Sequence, residues 1–177
     1  RYGLMVNSGS SALILALNVL DFKKGSEIIT PCLNFGTAVS SIMLSNLKPV
    51  LVDCEIDTLQ IDVNKIEKKI SNKTKAILVP NLIGNVPDWK KIRSIANKYK
   101  LKILEDSADT LGAKISNRPT GIYSDISITS FYGSHVISCA GNGGIFLTND
   151  KKLFTKAKVL RSWGRMSTLI KDSENIR

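Results

Sequence analysis

Short β-prone runs alternate with helical ones along almost the whole chain, and this alternation restricts the fold more than any other feature. Candidate strands lie at residues 27–30, 49–52, 76–79, 102–104, 126–131 and 144–148. Apolar residues at helical spacing from Ala12 to Leu20 follow a Ser/Gly cluster and stop near Gly25, as in a capped helix. Further helical patterns occupy residues 35–45, 63–70, 89–99 and 151–161. Strands joined through helices of this length require right-handed crossovers. The expected fold is therefore α/β, a mainly parallel central sheet flanked by helices. Such sheets bind ligands outside the carboxyl ends of their strands. Three polar segments, at 81–85, 106–109 and 130–135, fall at those ends.

Nothing divides the chain: there is no internal repeat, low-complexity tract or linker, so one α/β lobe accounts for all of it. With 177 residues, 43% of them hydrophobic, a sizeable core can be buried. The chain opens on Arg1 rather than methionine and ends in a polar stretch from Lys171 to Arg177, as expected of a segment of a longer protein. No signal-peptide pattern is present, and Asn18 and Asp21 interrupt the apolar run from Leu13 to Phe22, so no membrane association is expected. Cys32, Cys54 and Cys139 form no CxxC pair and cannot all pair within one chain, which favours free thiols in a reducing cytoplasm. The formal charge of +10 would suit an acidic partner. Its lysines, however, are spread along the helical patterns without interleaved aromatics. That reads as solvated helix faces rather than nucleic-acid binding, and it is compatible with a nucleoside-diphosphate substrate.

Several residues at the expected ligand edge carry chemistry. Ser8-Gly9-Ser10-Ser11-Ala12 opens the first helix, where free backbone N–H groups and the positive dipole end favour a phosphate. Gly9, Ser10 and Ser11 are the candidate phosphate-binding residues, an ordinary serine N-cap being the alternative. The run is neither a Walker loop nor a GxGxxG pattern. Asp106 follows an apolar strand and presents a carboxylate at the edge; a helix cap or a metal ligand is its alternative. No His/Cys cluster with metal spacing surrounds it, so no metal is expected. Phe35 stands at the start of a helical pattern, as a ligand-stacking ring or as a core residue. His135 is the only histidine, and imidazole exchanges protons near neutral pH, although a lone histidine is often structural.

Taken together, the runs Ser130-Phe131-Tyr132-Gly133-Ser134-His135, Glu105-Asp106-Ser107-Ala108-Asp109 and Asn7-Ser8-Gly9-Ser10-Ser11-Ala12 resemble the sugar-nucleotide aminotransferases of the DegT/StrS family. That family belongs to the aspartate-aminotransferase superfamily, the pyridoxal-phosphate enzymes of fold type I. The resemblance covers essentially all of residues 1–177. It implies the cofactor-binding large domain, with an N-terminal segment and a C-terminal small domain missing. It places Gly9, Ser10, Ser11 and Ser130 at the cofactor phosphate, Phe35 on the ring, Asp106 at the pyridine nitrogen and Asp109 near the ring hydroxyl.

His135 occupies the position where the family normally holds its Schiff-base lysine, and no lysine lies between Lys114 and Lys151. That exchange is the mark of the nucleotide-sugar 3-dehydratases, with GDP-4-keto-6-deoxymannose 3-dehydratase as the nearest type. It implies His135 as catalytic acid/base, pyridoxal or pyridoxamine 5'-phosphate as cofactor and a nucleotide-linked 4-keto-6-deoxyhexose as substrate. Glutamate would be the amino donor, and the assembly a homodimer serving surface polysaccharide or O-antigen synthesis. Asn81-Leu82-Ile83-Gly84-Asn85 is similar to a dehydratase segment and implies Asn81 and Asn85 as substrate-binding residues. Arg161-Ser162-Trp163-Gly164-Arg165 resembles the iron–sulfur dehydratases just before their clustered cysteines, but Met166-Ser167-Thr168-Leu169 follows here, without cysteine. A nucleotide-sugar aminotransferase and a noncatalytic homologue are the alternatives.

Overall fold

A computed structural model describes residues 2–170; Arg1 and the polar stretch at 171–177 lie outside the described residues. In chain order the elements are β1 (Tyr2–Val6), α1 (Gly9–Val19), β2 (Glu27–Pro31), α2 (Gly36–Leu44) and β3 (Lys48–Val52). There follow α3 (Val63–Ile66), extended by a 3-10 turn at Glu67–Lys69, then β4 (Thr74–Pro80), α4 (Trp89–Tyr99) and β5 (Lys102–Asp106). A two-stranded hairpin of β6 (Lys114–Ile115) and β7 (Arg118–Pro119) precedes β8 (Ile126–Ser130), β9 (Gly144–Thr148) and α5 (Lys151–Arg161). The main sheet has seven strands in the order β1-β9-β8-β5-β4-β2-β3.

The centre of the sheet is parallel because its strands are apolar on both faces. Successive residues Ile28 and Ile29, Ile77 and Leu78, Ile103 and Leu104 are all buried, and the two members of each pair enter different cores. One core joins Leu13 and Leu17 of α1, Ile42 of α2 and Ala157 of α5 to Leu78, Leu104 and Phe146. The other joins Ile66 of α3 and Trp89 and Ile92 of α4 to Ile29, Ile77 and Ile103. Each such side chain, fully buried, contributes roughly 1.5–3 kcal/mol. Helix α4 is typical of the layer: Trp89, Ile92, Ile95 and Ala96 face the sheet, Asp88 caps its start by accepting from the Lys91 N–H, and Lys100 ends it in a left-handed conformation.

Two features depart from the alternating pattern. β1, absent from the sequence reading, pairs antiparallel with β9 at the edge. β9 in turn runs antiparallel to β8, because residues 131–143 form no helix and return the chain directly alongside it. His135 lies in that return. Since β1 and β8 both oppose β9, β1 ends at the same edge as the parallel strands, and α1 starts there.

Candidate active site

At this edge Ser8 caps α1, its side chain accepting the Ser11 N–H at 3.1 Å. The helix start packs tightly on the ends of β8 and β9. A Cβ on Gly9 would lie 2.7 Å from Ser130 Cβ, and a side chain on Gly144 would overlap the backbone of Ser8 and Gly9. The close approach that Gly9 permits is therefore made by Ser130. Both residues, with Ser10, line a cavity of about 670 Å³.

Ser11 does not join them. At 100° per residue it turns toward a separate groove lined by Met5, Ile14, Asn18 and Arg161, and its hydroxyl bonds Ser8 Oγ at 3.0 Å. The structure thus places Gly9, Ser10 and, one turn on, Leu13 in the cavity wall, and Ser11 outside it.

Asp106, the last residue of β5, is buried in the cavity wall. Among the described residues its carboxylate accepts one hydrogen bond, from the Ala108 N–H at 3.0 Å, an Asx turn; no helix starts at Asp106. Burial pushes its carboxyl up to about 6; the Ala108 N–H and His135 pull against this, while the charges of Asp109 and Glu105 add to it. Among the described residues no group of His, Cys, Asp and Glu could hold a metal ion.

Asp109 and His135 face one another across the cavity mouth. Asp109 Oδ1 lies 3.7 Å from His135 Nε2, while Oδ2 accepts the Ile83 N–H at 3.2 Å. The His135 side chain retains 21% of its exposure, yet its Nδ1 is buried without a hydrogen-bond partner among the described residues. Its ring meets Tyr132 edge-on, with centroids 5.8 Å apart. Phe35 is 71% exposed, which excludes the core alternative, and it lines the cavity from the start of α2. Its loop is fixed by Asn34, which donates to Thr30 Oγ1 at 3.1 Å and accepts the Phe35 N–H at 2.8 Å.

The two expected substrate-binding asparagines are placed differently. Asn81 lines the cavity floor, but its amide is engaged in a buried network. It donates to Glu105 Oε1 at 3.1 Å and Ser107 Oγ at 2.9 Å, and accepts Trp89 Nε1–H at 2.8 Å. Asn85 does not line the cavity. The turn at Leu82–Gly84 carries it away, and its amide bonds the Thr58 carbonyl at 3.1 Å and the Val86 N–H at 3.0 Å. Tyr132, Ser134 and Asn142, not singled out as site residues from the sequence, also line the cavity; the first two flank Gly133 in the run that holds His135.

The sequence pattern of the DegT/DnrJ/EryC1/StrS aminotransferase family matches residues 1–175. The chain belongs to this family. It is 37% identical over 164 residues to GDP-perosamine synthase of Escherichia coli O157:H7, covering 93% of this chain and 45% of that enzyme. The chain thus spans about half the length of the curated relatives it matches. A solved GDP-4-keto-6-deoxymannose-3-dehydratase with a trapped PLP-glutamate geminal diamine superimposes with a TM-score of 0.90 at 31% identity, covering 97% of this chain and 46% of that one. A variant of the dehydratase ColD, in which a histidine and the serine before it are replaced by lysine and asparagine, superimposes with a TM-score of 0.86 at 30% identity, covering 91% and 44%.

DegT-family enzymes depend on pyridoxal phosphate, and the residues present fit that group. The start of α1 with the Ser130 hydroxyl offers N–H and O–H donors to an anion. Asp106 offers a buried carboxylate short of partners, and Phe35 an uncovered aromatic face.

Proposed function

We propose that this chain is the cofactor-binding domain of a nucleotide-sugar 3-dehydratase, with His135 as the acid/base in place of the family's Schiff-base lysine. The observation that carries this reading is the make-up of the cavity: among the described residues, its lining holds a histidine and no lysine. The ColD variant adds support, since its histidine and preceding serine have a counterpart in the adjacent Ser134-His135 of this chain.

Gly9, Ser10 and Ser130 would hold the cofactor phosphate, Phe35 would cover the ring, and Asp106, ionised above about pH 6, would face the pyridine nitrogen. Bound there, the cofactor supplies an electron sink. His135 would take a proton from the cofactor methylene and return one to the departing hydroxyl at carbon 3 of a 4-keto-6-deoxyhexose linked to a nucleotide. Asp109 Oδ1, 3.7 Å from Nε2, faces that nitrogen, and Nδ1 is the one without a partner among the described residues. Glutamate would serve as amino donor. A cytoplasmic homodimer, with parts of the longer protein completing the site, belongs to the same reading.

The resemblance to GDP-perosamine synthase favours a second reading, amino transfer to a nucleotide-linked sugar. Product mass spectrometry separates the two, using the full-length protein with pyridoxal phosphate, glutamate and a panel of nucleotide-linked 4-keto-6-deoxyhexoses. Loss of one sugar oxygen with the ketone retained supports dehydration. Replacement of the ketone by an amine overturns it in favour of transfer, and no reaction together with no cofactor binding leaves a noncatalytic homologue.

A further inference from the structure

Ile83 stands in a left-handed conformation, φ 50° and ψ 31°, which a β-branched residue adopts only under strain. Its side chain is 68% exposed, so core packing does not hold it there. The turn is tied down on both sides instead. Buried Gln60 donates from Nε2 to the Leu82 carbonyl at 3.2 Å, and the Asn85 amide donates to the Thr58 carbonyl at 3.1 Å. This conformation aims the Ile83 N–H at Asp109 Oδ2, 3.2 Å away. Thr110, next after Asp109, donates its hydroxyl to the Asn81 carbonyl at 2.9 Å, which pins the two segments together beside that contact. One oxygen of Asp109 is thereby engaged by backbone, and the other, Oδ1, faces His135 Nε2 at 3.7 Å. The His135 ring also meets Tyr132 edge-on, and its Nδ1 has no partner among the described residues.

Resting on the reading of His135 as the acid/base, we propose that Asp109 is its positioning residue: anchored by the strained turn at Ile83, Asp109 receives the Nε2–H of the imidazole and fixes the ring's orientation and tautomer. Which nitrogen of a neutral imidazole carries the proton is set by what the surroundings offer each of them. Here Nε2 faces an acceptor and Nδ1 is offered nothing among the described residues, so the contact with Asp109 decides. At 3.7 Å the two groups are in ion-pair range and a small side-chain rotation short of a hydrogen bond. Contacts of this kind tighten when a ligand fills the site. Backbone strain such as that at Ile83 persists only where surrounding bonds over-determine it, and here it sets the direction of the one N–H that holds Asp109. Leu82, Asp109 and His135 all line the cavity, so the anchored turn and the ring it steadies meet at the site itself. A group that exchanges protons at two places gains from one fixed orientation, since a misplacement of about 1 Å can cost roughly a hundredfold in rate.

Asp109→Asn separates this role from simple anchoring of the turn. Its amide oxygen still accepts the Ile83 N–H, which turns the amide N–H donors toward His135 Nε2. The readout is long-range proton–nitrogen NMR of the full-length, cofactor-free protein carrying 15N-labelled histidine, with the rings neutral. The His135 signals are those lost in His135→Asn. The unmodified protein should hold one tautomer, with the proton on Nε2; Asp109→Asn should move it to Nδ1 or leave the two tautomers averaging. The same tautomer in both proteins, or a proton on Nδ1 in the unmodified one, overturns the role. In turnover, Asp109→Asn should lower kcat about tenfold to hundredfold, with KM within about twofold and Tm little changed. A lowered Tm with kcat intact would make Asp109 an anchor of the turn alone, and overturns the role as well. If the tautomer answers to Asp109 while the product is an amino sugar, only the dehydratase reading fails. If dehydration proceeds and the tautomer ignores Asp109, only the positioning role fails.

Discussion

Glu105 and Asp106 are neighbours on β5, alike in charge and both nearly inaccessible, at 1% and 7% exposure. The pleat sends them to opposite faces of the sheet, and their surroundings differ accordingly. Glu105 turns toward α4 into a network: its Oε1 accepts from Asn81 and from the Ser107 hydroxyl, and Asn81 is tied to Trp89. Asp106 turns into the cavity with a single backbone donor. The comparison separates polar groups that hold the fold from those kept short of partners for a ligand. In the same cavity His135 Nδ1 has no partner among the described residues, and within the network the same holds only for Glu105 Oε2.

The cavity side should respond in chemistry rather than in folding. His135→Asn in the full-length protein is expected to lower turnover about 10²–10⁴-fold while thermal stability and cofactor affinity stay near their starting values. Turnover within a few-fold of the unmodified enzyme would place the proton chemistry elsewhere.

Asp106→Asn should then show the two sides pulling apart. Asp106 is raised from 3.8 to about 6, so the folded state holds its proton more tightly than the unfolded chain. Its contribution to stability is therefore full below about pH 3.8 and is lost as pH rises through about 6. Above that pH the buried charge costs the cofactor-free protein roughly 3 kcal/mol. Removing the charge should raise the melting temperature of the cofactor-free protein at pH 7, though not at pH 4. It should also weaken pyridoxamine phosphate binding by about thirtyfold or more. In the unmodified protein, that binding should weaken as pH falls through about 6, as spectral titration would show.

The network side should behave in the opposite way. Asn81→Ala leaves the Trp89 N–H and one oxygen of Glu105 short of partners, and is expected to cost about 1–3 kcal/mol in denaturant unfolding. If Asn81→Ala instead spares stability and changes substrate KM alone, the division between the two carboxylates fails. Phe35→Ala is a finer probe. The ring is largely exposed, so unfolding should shift by no more than about 0.5 kcal/mol. Cofactor affinity should fall by about threefold to tenfold.

The same division explains what could be read from the residues alone. The parallel strands were legible because residues such as Ile28 and Ile29 are apolar in succession, which only a sheet covered on both faces satisfies. β1 was not, since only Leu4 among its residues is buried and its pairing depends on a strand more than 130 residues away. The reversal of β9 rests on the absence of a helix at 131–143, a negative signal, although Gly141, Gly143 and Gly144 mark the return. At the site, Asp106 stood out because it ends an apolar strand, and His135 because it takes the lysine position in a run that resembles the family's. What the sequence did not show is that Asn81 lines the cavity and Asn85 does not, because tertiary partners, Trp89 for one and Thr58 for the other, decide how an amide is used.

Ser10 and Ser11 carry the comparison down to a single helical step. Both sit in the first turn of α1, where the backbone N–H groups and the dipole act alike on any anion. Only Ser10 lines the cavity, while Ser11 lines the groove beside α5 and returns its hydroxyl to the cap at Ser8. Ser11→Ala should therefore leave phosphate and cofactor affinity unchanged within about twofold, with a stability change of no more than about 0.5 kcal/mol from the weakened cap. Ser10→Ala should weaken binding of inorganic phosphate and cofactor more than Ser11→Ala does, by parallel titration. Equal losses from both would mean that the anion sits on the helix axis, read by backbone alone, and the side-chain selectivity assigned to this wall would be wrong.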